Sequence, residues 1–165
     1  MNAFPLRATC AAAALAASLL ASGCAAMAEG RSAPPVSSAP SDWIGGPKDA
    51  RSLPKNRWTL IVIFRPGSQT CADGIPEVLA LKKKYAPQGL SVVGITAADR
   101  EDAEAFVKDN KIDFPVLVEA NDVVDSYGIP AVDENYTYLI DPPGVVIAQC
   151  DLPATRSILD RYLKK

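Results

Sequence analysis

From about residue 50 onwards, apolar residues fall into two alternating patterns. Short charge-free runs come first, each followed by a longer stretch in which apolar positions recur every three or four residues. "WTLIVIF" (58–64) is continuous, β-branched and uncharged, which predicts a strand buried on both faces in the middle of a sheet. After Cys71, the spacing of Ile75, Val78, Leu79 and Lys82 predicts a helix running to Tyr85. Pro76 should kink it and "PQG" (87–89) should end it. "LSVVGIT" (90–96) is a second buried strand. "DREDAEAFVKDNK" (99–111) reads as an amphipathic helix capped by Asp99, with Ala103, Phe106 and Val107 inward. "FPVLVE" (114–119) is a third strand, and 122–127 a short helix closed by Gly128. "TYLIDPPGVVIAQC" (137–150) predicts a hairpin turning at 141–144. A last helix, 154–163, should carry Ile158, Leu159 and Tyr162 inward. Strand–helix alternation followed by a hairpin predicts an α/β domain over 50–165 with a mixed central sheet flanked by helices.

The first 28 residues depart from this pattern. One basic residue, Arg7, precedes an apolar run to Leu20 and then small residues, the layout of an export signal. "LASGC" (20–24) resembles a bacterial lipoprotein signal, with cleavage before Cys24 and lipid on its thiol; cleavage after "AMA", at Ala28, is the other reading. Both place the mature protein outside the cytoplasm, in a disulfide-permissive compartment, with a membrane tether in the first case. Residues 29–49 are rich in Pro, Ser, Gly and Ala and predict a flexible linker, with Trp43 and Ile44 where docking begins.

Charge and composition narrow the chemistry. A net charge of −2 and a pI near 5.1 give no electrostatic basis for binding nucleic acid. The chain has no histidine. Hydrolase chemistry on a His base is therefore excluded, and two widely spaced cysteines in the domain make no zinc site. Nothing calls for a metal or a cofactor. Lys82 to Lys84 read as a solvated helix face, and Tyr136 and Tyr138 as sheet packing.

The informative stretch is "FRPGSQTCADGIPEV" (64–78), where a strand runs through a Gly/Ser turn into a helix opened by Cys71. With "GLSVVGIT", "FPVLV", "YGI" and "TYLIDPPG" following in order, the chain resembles the thioredoxin fold. More narrowly it resembles the redoxins, which include TlpA/ResA-type thiol–disulfide oxidoreductases and AhpC/TSA peroxiredoxins. The resemblance spans roughly 50–165 and implies redox chemistry at Cys71, with protein thiols, disulfides or peroxide as partners. The oxidoreductase motif C-x-x-C aligns on Ser68 to Cys71, so its first cysteine is Ser68. The family's cis-proline falls on Asn135, with Pro130 eligible only across an insertion. The peroxiredoxin T-x-x-C pattern is met by Ser68 to Cys71, but its upstream P-x-x-x-T spacing is not. The peroxidase arginine also falls on Asn135.

A thiol in the first helical turn meets the positive end of the macrodipole, which favours the thiolate. Ser68 is placed to donate a hydrogen bond to it, Asp73 opposes it, and Arg65 stands within reach. The bland reading is a small buried residue retained for packing. Cys150 ends the hairpin on the same rim and reads either as a resolving or disulfide partner for Cys71 or as an unpaired thiol. The obstacle to a bridge is two strand spacings, about 10 Å. These residues define an envelope redoxin working through the single cysteine Cys71. The alternative is a non-catalytic binding module using the rim around Ser68 and Asn135, or an inherited fold in a structural lipoprotein.

Overall fold

The computed structural model describes residues 30–46, 52–129 and 134–163, together with the backbone of 24–25. In chain order the elements are β1 (Cys24–Ala25), β2 (Trp43–Ile44), β3 (Trp58–Ile63), α1 (Gln69–Tyr85), β4 (Leu90–Ile95) and α2 (Arg100–Asp109). β5 (Val116–Leu117), α3 (Asn121–Ser126), β6 (Tyr136–Ile140), β7 (Val146–Asp151) and α4 (Leu152–Leu163) follow. The strands form one sheet in the order β1-β7-β6-β3-β4-β5-β2. β3 pairs parallel with β4 and antiparallel with β6. β4 and β5 are parallel, and β6 and β7 antiparallel. The sheet is mixed, as the pattern of the chain predicts.

β3 is central because all of it beyond Trp58 is closed to water: Leu60 to Ile63 are at most 1% exposed. Its side chains alternate between two cores, as a period of two requires. Leu60, Val62 and Phe64 join Ile75, Val78 and Leu81 of α1, Phe106 of α2 and Leu159 of α4. Ile61 and Ile63 face the other way, towards Tyr138, Val124 of α3 and two residues from the N-terminal side, Val36 and Trp43. Tyr138 donates its hydroxyl to the Tyr127 carbonyl at 2.5 Å, and the two rings meet edge-on at 4.7 Å. Burial, with Tyr136 nearby, pushes the Tyr138 phenol up to about 12, so it stays a neutral donor.

Local signals set the boundaries. Asp99 caps α2, its carboxylate accepting from Asp102 N–H at 2.9 Å. α1 ends in a short 3-10 turn, Ala86–Gln88, stopped by Gly89 at φ 87°. The hairpin turn closes through Gly144 N–H on the Asp141 carbonyl (2.9 Å) and Val145 N–H on the Asp141 carboxylate (2.7 Å).

Two expectations need correcting. Residues 30–46 do not hang loose. Val36 and Trp43 are buried, Trp43 pairs with Leu117, Ser32 bridges to Val145, and Ala33 N–H donates to the Gly144 carbonyl. A few apolar anchors and backbone bonds hold a stretch whose average composition is that of a linker. Tyr162 is not inward: it is 39% exposed and lies against Trp58 at 5.8 Å, while Leu152, Thr155, Leu159 and Leu163 form the buried face of α4. The export signal over residues 1–28 lies outside the described residues except for the backbone of 24–25. Among the described residues no helix is long and apolar enough to cross a membrane.

Candidate active site

β3 ends against β4, with Phe64 N–H donating to the Ile95 carbonyl at 3.2 Å. The chain then has four residues in which to reverse. Gly67 takes φ 83°, a conformation that favours glycine, and Ser68 N–H closes a turn on the Arg65 carbonyl. Ser68 is extended and caps α1: its Oγ accepts from Cys71 N–H at 3.3 Å and its carbonyl from Ala72 N–H at 3.1 Å. A serine cap of this kind contributes about 1 kcal/mol. It fixes Cys71 in the first turn, at the end of β3, where the sequence places it.

The thiol does not face solvent. Cys71 is 0% exposed and packs in the core with Phe64 and Ile75. Its Sγ accepts the backbone N–H of Arg65 at 3.5 Å, so Arg65 reaches it through its main chain. Asp73, the opposing charge, is exposed and accepts from Gln69 Nε2 at 2.7 Å. The arrangement combines a capped helix N-terminus, a backbone donor on sulfur and an apolar wall. A sulfur enclosed in this way is inert until a partner can reach it. Among the described residues no three His, Cys, Asp or Glu side chains gather as a metal site.

Asn135 lies beneath this turn. It is 4% exposed, and its Nδ2 donates to the Cys71 carbonyl at 2.9 Å across 64 residues of sequence. Its side chain therefore offers no exposed rim, which corrects the expectation of an interface built on Ser68 and Asn135 together. Pro130 lies outside the described residues. The contact depends on Gly74, where a Cβ would run into Asn135 Nδ2 and come within 2.9 Å of Leu152 Cδ2. Sequence reasoning finds Asn135 only as an aligned position. The signal for the contact is Gly74 itself, a glycine inside a helix, which marks close approach of another group.

Cys150 sits opposite Thr137 in β7, and Thr137 sits opposite Val62 in β3, so two strand spacings separate Cys150 from β3. Cys71 is a free thiol, whereas Cys150 is disulfide-bonded. The Cys71–Cys150 bridge is therefore not formed. In this oxidation state Cys150 has no thiol with which to resolve an adduct on Cys71. The backbone of β1 sets Cys24 opposite Cys150.

The AhpC/TSA family model matches residues 30–149. The thiol-disulfide oxidoreductase ResA of Bacillus thuringiensis subsp. konkukian is 29% identical over 113 residues, 67% of this chain and 64% of its own length. ResA of Bacillus anthracis is 28% identical over the same extent. The match thus spans just under two-thirds of these curated relatives. Among solved structures, the thioredoxin domain of a thiol-disulfide oxidoreductase from Bacteroides vulgatus superposes with a TM-score of 0.66 at 21% identity, covering 83% of this chain and 99% of that one. A thiol:disulfide interchange protein from Bacteroides sp. gives 0.64 at 20%, covering 84% and 91%. The fold is thioredoxin-like.

If Ser68 occupies the place of the missing first cysteine, Ser68→Cys should create a dithiol with Cys71. Under an oxidising glutathione buffer its intact mass should fall by two hydrogens, with the 68–71 link found by peptide mapping. Two free thiols under those conditions would show that the turn does not present the pair.

Proposed function

The chain belongs to the AhpC/TSA family, and on that premise we propose that it is a monothiol redoxin of the cell envelope. Cys71 carries thiol–disulfide exchange, and Ser68 supports it by holding the turn. The observation that carries this reading is the placement of one free cysteine, Cys71, in a serine-capped first turn with a backbone N–H on its sulfur. The similarity to proteins named thiol-disulfide oxidoreductases points the same way. Peroxide is the less favoured oxidant, because the P-x-x-x-T spacing is missing and Asn135 stands where the peroxidase arginine would be.

The exchange runs in two displacements. The Cys71 thiolate attacks one sulfur of a partner disulfide, forming a mixed disulfide and expelling the other sulfur as a thiolate. With Ser68 in place of the neighbouring cysteine and Cys150 in a disulfide, the mixed disulfide is resolved by an external thiolate. That thiolate attacks the partner's sulfur, releasing Cys71 as thiolate and leaving the partner joined to the incoming thiol. The partners are protein thiols and disulfides. No step needs a cofactor or a metal.

In a glutathione-coupled assay on a mixed-disulfide substrate, the wild-type protein should turn over and Cys71→Ser should fall to the uncatalysed rate. Full activity in Cys71→Ser would end this reading.

The export pattern before Cys24 supports transfer of the domain to the outer face of a membrane. The Cys24 sulfur then has two mutually exclusive fates: a lipid tether, or a disulfide with Cys150, which it faces across β1 and β7. If the tether forms, Cys24→Ala should move the protein from the membrane fraction to the soluble one and remove the lipid mass from the mature chain. An unchanged mass and fractionation would exclude the tether.

A further inference from the structure

Three buried side-chain atoms among the described residues have no hydrogen-bond partner: Ser38 Oγ, Trp43 Nε1 and Asn135 Oδ1. Only the last belongs to a residue that touches the thiol's own turn. We propose that Asn135 is a positioning residue that latches this turn shut, and that its release exposes Cys71. The proposal rests on the exchange reading above, because a thiol that exchanges with a protein disulfide has to meet it in the open. At 0% exposure Cys71 cannot do so in the closed form.

The turn is built to separate from the rest of α1. It is bracketed by Gly67, in the left-handed region, and by Gly74, where the missing Cβ admits Asn135 and Leu152 close to the backbone. Pro76 has no N–H, so the Ala72 carbonyl lacks the i+4 donor that would tie the first turn to the second. Beside the Arg65 N–H on the sulfur, the Asn135 Nδ2 bond to the Cys71 carbonyl holds the turn from outside the helix, seated in the space beside Gly74. The same carboxamide leaves Oδ1 buried and unsatisfied while the turn is closed. Opening would hydrate that oxygen, offsetting part of the cost of breaking the Nδ2 bond. A latch with one bond made and one polar atom stranded is shallow, and a shallow latch opens reversibly.

The test is the rate at which N-ethylmaleimide modifies Cys71 in the full chain under native conditions, with Cys150 kept in its disulfide. In the wild type, modification should depend on urea much more weakly than global unfolding does, the mark of a local opening. Asn135→Leu should raise the rate about tenfold, the equivalent of one hydrogen bond, and Gly74→Ala should raise it as well. Thr137→Val, which removes a neighbouring buried hydroxyl that donates to the Cys150 carbonyl at 3.1 Å, should not. A wild-type rate with the full urea dependence of global unfolding would overturn the latch. So would an Asn135→Leu rate that rises only as far as global stability falls. Since alkylation needs no turnover, a responsive latch in a protein without exchange activity would sink the exchange reading alone. Exchange activity with an unresponsive rate would sink the latch alone.

Discussion

β3 has to be covered on both faces, and the rest of the molecule is arranged around that need. Trp58–Ile63 carries no charge, and its core positions are sealed from water. One face takes α1, α2 and α4, and the other takes α3 and the N-terminal segment. Burying four large aliphatic side chains there is worth on the order of 6–12 kcal/mol before entropy is counted. With β3 fixed, the chain leaving it has to turn within four residues to lay α1 back over the sheet. That turn places Cys71 at the rim and, because α1 must pack closely, puts its sulfur inside the core.

The site is therefore a compromise between packing and chemistry. The helix start supplies a cap, the end of β3 a backbone N–H on sulfur, and the loop before β6 an amide that grips the Cys71 carbonyl. Each contact that orders the thiol also encloses it. In the proposed exchange the half-buried Ser68 stands at the place of a first cysteine, so the enclosed sulfur would act alone. Access, rather than nucleophilicity, becomes the property that the surrounding residues control.

Most of the fold is legible in the sequence because its signals are local. Charge-free runs mark β3 and β4, Asp99 marks the start of α2, Gly89 the end of the turn after α1, and "DPPG" the hairpin. What escapes sequence reasoning depends on distance. Residues 30–42 look like a spacer, since the buried anchor Val36 is diluted among prolines and serines, whereas docking at Trp43 and Ile44 is legible and is met by their pairing with β5. The inward face of α4 is misjudged at Tyr162 because Trp58 and solvent share its ring. At the site, Ser68 and Cys71 are legible from their spacing, but the amide of Asn135 under the turn is not. Its contact crosses 64 residues, and only Gly74 hints that something must fit there. The state of Cys150 likewise depends on which cysteine the fold brings to the sheet edge.

The central claim is that one enclosed thiol, Cys71, forms and releases mixed disulfides. Its most direct test is the intact mass of the mature protein after incubation with glutathione disulfide, followed by peptide mapping and by return to reduced glutathione. The account predicts a single glutathione adduct on Cys71 that reduced glutathione removes, regenerating the starting mass. A protein that takes up no glutathione, while Cys71 titrates as a free thiol in denaturant, would contradict it.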